Sequence, residues 1–467
     1  MPKKYHIQTK ATPLNLNPIF KFRIERGNNC INCGRCSKVC IYEAHKRGKE
    51  DPRKMAEPNT VVCRNCFRCI QECPRGALEK SIDKDFLKVG GRFWKPDMFI
   101  TLWKQSEDGA VPVTGAGYRG PFTGPGFDSM WTDMSEIVRP TRDGIHGREY
   151  INTSVDLGRK LNHLTFGEAG ELLSKVPDMV NVSIPIIFDV PVEHMTANIR
   201  AALVKATPQL NTFVVLPAES ITPDFEAYIE HIIPSVAPQD VDRYEALVKR
   251  ARIVELEYRD SLEENLSALQ DKVKQIGKAL VAIRVPATKA VSDIALKLAV
   301  AGVEIIHIVA DYCGREVGGT DAQPRLLKDI IRDVHLKLVE NGIRDEVTII
   351  ASGGIAMAEH VPKSMICGAD LTAIGLPPLI ALGARLYEEP EMMLIPADGV
   401  EKLPVKTVRQ RIINLMGAWH SQLLEVMGAM GIREARRLRG ETGRAIFFEE
   451  IDRETFGQLF NKRETTS

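Results

Sequence analysis

The sequence predicts an α/β fold: a (β/α)8 TIM barrel, preceded by a small cysteine-rich domain and followed by helices. Three observations predict it. From about residue 150 onward, eight short β-branched and apolar runs alternate with longer segments of helical period, and eight such units over about 235 residues match that barrel in count and length. Eight of the ten cysteines crowd between residues 30 and 73, ahead of the alternation. Beyond the eighth unit, residues 405–432 carry an apolar stripe at helical spacing. The chain therefore divides into a cysteine domain over 1–85, an irregular linker over 86–145, the barrel over 146–400 and a C-terminal helical extension over 401–467. An open doubly wound sheet is the other arrangement open to the same alternation.

With 44% apolar and 26% charged residues in 467, the composition is that of an ordinary globular chain long enough for two or three domains. Lysine plus arginine (62) nearly cancels aspartate plus glutamate (61), so no overall field favours nucleic acid or an acidic membrane surface. No stretch approaches the roughly 18 uninterrupted apolar residues of a spanning helix, and the N-terminus lacks a signal-like apolar segment. The expected location is the cytoplasm, with no membrane span and no nucleic-acid partner.

Sulfur holds the first element. "CINCGRCSKVC" (30–40) and "CRNCFRCIQECP" (63–74) both space their cysteines C-x2-C-x2-C-x3-C. In a reducing compartment such clustering points to metal rather than to disulfides. Paired C-x2-C could hold structural zinc, but three close cysteines plus one in each run suit a cubane [4Fe–4S] cluster better, and in two-cluster ferredoxins the fourth cysteine ligates the other cluster. The expected sets are Cys30, Cys33, Cys36 and Cys73 for one cluster, and Cys63, Cys66, Cys69 and Cys40 for the second. Pro74 follows the second run as in that pattern, whereas Ile41 stands after the first. Residues 1–85 thus read as a ferredoxin-like domain with two [4Fe–4S] clusters, and the charged stretch between the runs as a surface excursion.

In the linker, "GAGYRGPFTGPG" (115–126) contains a formal G-x-G-x-x-G at Gly115, Gly117 and Gly120. That fingerprint needs a strand leading in and a helix leading out. Pro121 and Pro125 deny it the helix, so the segment reads as an irregular connection that covers part of the following active site.

The eight expected strands are 150–155, 184–190, 211–217, 251–258, 279–285, 304–310, 347–353 and 371–375, with helices between them, "FEAYIEHII" included. In such a barrel the active site lies at the C-terminal strand ends, and phosphate often sits in the loops after strands seven and eight. "ASGGI" and "AIGLPPL" end those two strands, so the amides of Ser352, Gly353, Gly354 and Gly375 can converge on one phosphate. Tight turns needing glycine for geometry alone are the plainer alternative. Clusters carry single electrons, whereas reducing an imine or alkene takes a hydride, and a flavin converts between the two; a terminal monophosphate makes FMN the expected flavin. Thr153 and Ser154, after the first run, are candidates to face its ring. Arg284, on strand five, is a candidate for a fixed positive charge at the flavin N1 and O2 edge, against a snorkelling arginine at the barrel mouth. Cys313, after strand six, is either a small buried hydrophobe or a catalytic thiol activated by Arg315; Cys367 should be buried and inert.

The stretches "VAIRVPATKAVSDIALKLAVAGVEIIHIVADYCGREVGGTDAQPRLLKDI", "LVENGIRDEVTIIASGGI" and "ICGADLTAIGLPPLIALGARL" resemble the FMN-binding domain of glutamate synthase. The architecture is similar to that of archaeal-type stand-alone subunits with an N-terminal two-cluster ferredoxin. This resemblance implies reduction of the 2-iminoglutarate formed from 2-oxoglutarate and ammonia. Where the family carries a lysine in its fifth strand, this chain holds Arg284. The family's glutamate-bearing glycine-rich loop gives way to "VELEYRDSLEEN", its stretch after strand six becomes "DYCGREVGGTDAQP", and no cysteine follows Cys367 to form its three-cysteine motif.

The expected function is an FMN-dependent iron–sulfur oxidoreductase, glutamate synthase-like. An electron-transfer subunit of a larger redox complex, without synthase activity of its own, is the alternative, and a structural subunit with a degenerate barrel a third. The expected partners are a small-molecule substrate, an electron donor (ferredoxin or an NAD(P)H-oxidising flavoprotein) and a separate amidotransferase subunit to supply ammonia.

Overall fold

Eight parallel strands close the barrel between residues 186 and 374: β1 (Ile186–Phe188), β2 (Val214–Pro217), β3 (Ile232–Val236), β4 (Ile253–Glu257), β5 (Leu280–Pro286), β6 (Ile305–Val309), β7 (Thr348–Ser352) and β8 (Leu371–Ile374). Each pairs with its sequence neighbours and β8 pairs with β1, so no edge is left. The structure, a computed structural model, describes residues 5–13, 18–49, 51–111, 122–132, 150–259, 262–319, 324–388, 392–397 and 399–457. The strands read as nearly unbroken apolar runs because side chains inside meet the barrel core and those outside meet helices; β7, for example, is buried throughout. Among the described residues no helix is long and apolar enough to cross a membrane.

One expected strand lies outside the barrel, and one barrel strand was not among those expected. The first run, 150–155, is not in the barrel: Val155–Leu157 pairs antiparallel with Val180–Val182. This hairpin packs at the N-terminal end of the barrel, where Gly158 N donates to Thr348 Oγ1 and Thr348 Oγ1 donates to Gly158 O at the start of β7. The missing strand is β3. It lies at the end of the segment expected to be helical, where Pro223–His231 forms a 3-10 helix that runs directly into β3. Its Pro234 disguises it, since proline cannot donate to a ladder and argues against a central strand.

The Val405–Met430 helix is the longest of the described elements and ends at Gly431, whose φ of 75° suits glycine. It packs against two others, Ala197–Leu210 and Pro96–Asp108. The second of these lies in the stretch expected to be irregular. It begins with Pro96 at its first position and buries Met98, Phe99, Leu102 and Trp103 on one face, so an apolar stripe against the C-terminal helix orders it. Gly115, Gly117 and Gly120 lie outside the described residues.

At the N-terminal end, Phe22–Arg26 and Leu78–Ile82 pair antiparallel and bracket both cysteine runs. Each run folds alike. Left-handed backbone falls at equivalent positions, Asn32 and Gly34 in the first and Asn65 and Phe67 in the second. Each then enters a short helix, Arg35–Val39 or Arg68–Gln71. Asp85 and Arg385, paired at 2.8 Å, join this region to the barrel rim.

Candidate functional site

A cavity of about 460 Å³ opens at the C-terminal ends of the barrel strands, within the size range of cofactor sites. Every strand contributes to its wall: Asp189 follows β1, Val215 and Pro217 lie on β2, Ser235 on β3, Glu257 on β4, Arg284 on β5, Val309 on β6, Ser352 on β7 and Ala373 on β8. Ser352, Gly353, Gly354 and Gly375, singled out in the sequence, all line it. The glycines are required by backbone packing. Gly353 (φ 96°) would place a Cβ 2.6 Å from Asp311 O, Gly354 (φ 63°) one 2.6 Å from Gly314 N, and Gly375 one 2.9 Å from Asp189 O. Both loops are thereby drawn tightly over the strand ends while facing the cavity, which is the disposition a phosphate cradle needs.

Arg284 also reaches the cavity, but its charge is taken. Nη1 and Nη2 fork onto Asp189 Oδ1 and Oδ2, both at 3.0 Å, and Nη1 lies 3.3 Å from Glu255 Oε1. Beneath it, His307 Nδ1 is 2.5 Å from Glu255 Oε2, and Ser352 Oγ donates to Asp189 Oδ2 at 3.1 Å. Burial opposes ionisation of Asp189, yet Arg284 and His307 hold its carboxyl below the ordinary range; burial likewise opposes Glu255, which His307 and Arg284 hold down. Against burial, the two carboxylates keep the Arg284 guanidinium firmly charged. The expected lone cation at the mouth is thus a neutralised one. The signal for this group is in the sequence: β5 and β6 each carry one charged or titratable residue amid apolar neighbours, in "LVAIRVP" and "IIHIV", and β4 carries two, in "IVELE".

Three expected site residues lie elsewhere. Thr153 and Ser154 are at the opposite end of the barrel, because the run that holds them is not a barrel strand. Thr153 Oγ1 donates to Ser183 O at 2.7 Å and accepts from His420 Nε2 at 3.1 Å, and Ser154 folds back onto Asn152 Oδ1. Cys313 is fully buried and outside the cavity wall. Burial first, then Glu388 and Asp311, push its thiol up to about 12, and the opposing pull of Arg315 is too weak to activate it. Cys367 is buried as expected, its thiol likewise pushed up to about 12 by burial. The wall after β6 carries Asp311 and Tyr312 instead. Burial, with Glu193, pushes the Tyr312 hydroxyl up to about 12, so it keeps its proton at neutral pH.

The eight N-terminal cysteines line two small cavities. Cys30, Cys33, Cys36 and Cys73 share one, and Cys40, Cys63, Cys66 and Cys69 share the other. The fourth cysteine of each run therefore sits with the other run. It is held there by equivalent bonds, Ala44 N to Cys40 Sγ at 3.4 Å and Ala77 N to Cys73 Sγ at 3.2 Å. Four thiols facing one small space, with backbone N–H groups on the sulfurs, is a donor set suited to an iron–sulfur cluster. Elsewhere, Asp128, Glu359 and His360 bring ligand atoms within 4.8 Å of one another. There His360 Nδ1 accepts from Ala356 N, so Nε2 carries the proton given to Asp128 Oδ1 and has no lone pair for a metal.

A family model described as the conserved region in glutamate synthase matches residues 257–433, which run from the end of β4 through the C-terminal helix. The chain is similar to the archaeal-type glutamate synthase (NADPH) of Dehalococcoides mccartyi, 23% identical over 90% of this chain and 94% of that protein. It is also similar to the archaeal glutamate synthase (NADPH) of Archaeoglobus fulgidus, 25% identical over 94% of this chain and 96% of that one. The glutamate synthase (NADPH) large chain of Azospirillum brasilense is 26% identical over 38% of this chain and 12% of its own length.

Proposed function

Proceeding from a barrel of the glutamate synthase family, we propose that this chain is an iron–sulfur flavoprotein oxidoreductase of glutamate synthase type. The observation that carries the reading is the pairing of two four-cysteine cavities with a barrel mouth onto which both glycine loops open. Ser352, Gly353, Gly354 and Gly375 hold the phosphate of FMN. Cys30, Cys33, Cys36 and Cys73 hold one [4Fe–4S] cluster, and Cys40, Cys63, Cys66 and Cys69 the second. When bound, the clusters supply single electrons and the flavin supplies two-electron reduction, in the family that of 2-iminoglutarate. The chain's own residues shape that site. Asp189, itself bonded by Ser352, and Glu255 hold Arg284 still, and Tyr312 keeps a proton at the wall.

One observation favours a second reading. Arg284 is the only lysine or arginine among the described residues lining the cavity, and it is already paired with two carboxylates. A dicarboxylate substrate would find no free cation there, as expected if the chain passes electrons within a larger complex without making glutamate itself. On either reading, electrons come from a ferredoxin or an NAD(P)H-oxidising flavoprotein partner.

Anaerobic purification with iron, sulfide and flavin analysis tests the cofactors: about eight iron atoms and one FMN per chain are expected, and zinc in place of iron would sink the assignment. Glutamate formation from 2-oxoglutarate and ammonia by the loaded protein under a chemical reductant then separates the two readings.

A further inference from the structure

One wall of the mouth cavity comes from outside the barrel. Trp94, 1% exposed, lines it, and its indole N–H donates to Tyr312 O at 3.0 Å. Phe93 and Phe99 meet its ring edge-on, with centroids 5.9 and 6.2 Å away. The segment that carries it leads from the cysteine domain to the Pro96–Asp108 helix. A single carboxylate fastens that segment to the rim: Glu388 accepts from the backbone N–H of Arg92 at 2.8 Å, Phe93 at 3.1 Å and Trp94 at 2.5 Å. Two more backbone bonds close the clasp, Gly90 N to Leu386 O at 2.7 Å and Glu388 N to Gly90 O at 3.1 Å. No side chain fits at either glycine. A Cβ at Gly90 (φ 82°) would lie 2.0 Å from Trp94 O, and one at Gly91 would lie 2.5 Å from Glu388 Cβ.

A tryptophan that merely docks a connection needs neither a cavity face nor three amides gathered on one anion. Here the ring is fixed from behind, its polar edge is satisfied, and the barrel supplies no other aromatic ring to the cavity except Tyr312 among the described residues. We propose that Trp94 is a binding residue for the planar ring system of the flavin and that Glu388 is the positioning residue that holds it there. The cavity then takes up flavin well only while the segment between the cysteine domain and the barrel is docked. The inference rests on reading the cavity as the FMN site.

The test titrates the full-length, flavin-freed protein with FMN and follows flavin fluorescence. Trp94→Leu should weaken binding about tenfold and restore part of the flavin emission that the indole quenches, while Trp94→Phe stays within about threefold. Glu388→Gln should weaken binding about fivefold and speed hydrogen exchange at the amides of Phe93 and Trp94, a local readout that does not depend on flavin. Trp131→Phe, away from the cavity, should change neither. Iron content and far-UV circular dichroism equal to wild type establish that the variants are folded. If wild type binds FMN and both Trp94→Leu and Glu388→Gln bind it equally well, the inference is overturned and the FMN reading stands. If the wild type takes up no FMN, that reading falls and the inference with it.

Discussion

Arg284 forks onto Asp189 and leans on Glu255 at the floor of the cavity, and removing it would leave two buried carboxylates facing each other over a histidine. Breaking such a group by deleting one partner costs about 3–5 kcal/mol when fully buried. Because the Arg284 side chain keeps 29% of its exposure, Arg284→Met should lose about 2–4 kcal/mol in urea unfolding, with Arg284→Lys falling between, since an ammonium cannot fork. A loss below the measurement error would mean that the group is solvated and contributes nothing. The buried thiols give the next residue-scale outcome. With burial pushing both Cys313 and Cys367 up to about 12, neither should react with iodoacetamide in the native protein at neutral pH, and both should react once it is unfolded; mass spectrometry distinguishes the two states. Arg284 was legible as a cavity residue because it ends an obvious strand. Its forked partner was not, because Asp189 follows β1, far away in sequence, and only barrel closure brings the two together.

At the scale of elements, a short β-branched and apolar run marks a strand but does not say which sheet it joins. "YINTSV" and "IPIIFDV" look equivalent as sequence, yet the first leads into a hairpin at the base and only the second enters the barrel. β3 was hidden by Pro234 and by the helical period just before it. From β4 onward the expected strands coincide with the barrel's, so the glycine loops after β7 and β8 were placed correctly, whereas Thr153 and Ser154 inherited the error of the first. The reason for glycine in those loops also differs from the expected one. Replacing Gly353 with alanine must force φ near 96° on an L-residue and press Cβ against two carbonyl oxygens, of Ala310 and Asp311. Strain of this kind costs about 1–3 kcal/mol, so Gly353→Ala should lower the melting temperature measurably with no ligand present. An unchanged melting temperature would show that the loop relaxes freely and that only a ligand requires the glycine.

For the molecule as a whole, acid is the informative stress, because His45 and His420 are buried with no carboxylate beside them to welcome a second proton. His420, on the C-terminal helix, is 7% exposed. The Thr153 hydroxyl gives its proton to Ser183 O, so it can only accept from His420 Nε2–H, and protonating Nδ1 would place a cation on a buried side chain. Burial, with His6 adding to it, lowers the His420 pKa to about 4; burial, with Arg344 and Arg439, does the same for His335. A histidine depressed in the fold stays neutral there while its unfolded counterpart takes up a proton below about 6.5. The unfolded state then binds more protons, and stability falls as pH falls through the interval from 6.5 to about 4. For His420 the full effect is about 3 kcal/mol, and for the more exposed His335 it is less. Asp370, buried against burial's own penalty and held down by Arg344 and Arg439, adds a loss of the same sign below its ordinary range, while the raised carboxyl of Asp311 opposes only the lower end. Urea unfolding at a series of pH values should therefore show little change above pH 7 and a steady decline from pH 6.5 downward. His420→Gln, which keeps a donor toward Thr153 but cannot titrate, should flatten that decline by about 2–3 kcal/mol at pH 4. If His420→Gln follows the wild-type curve throughout, this histidine takes up its proton equally in both states, and the acid sensitivity must lie with other groups.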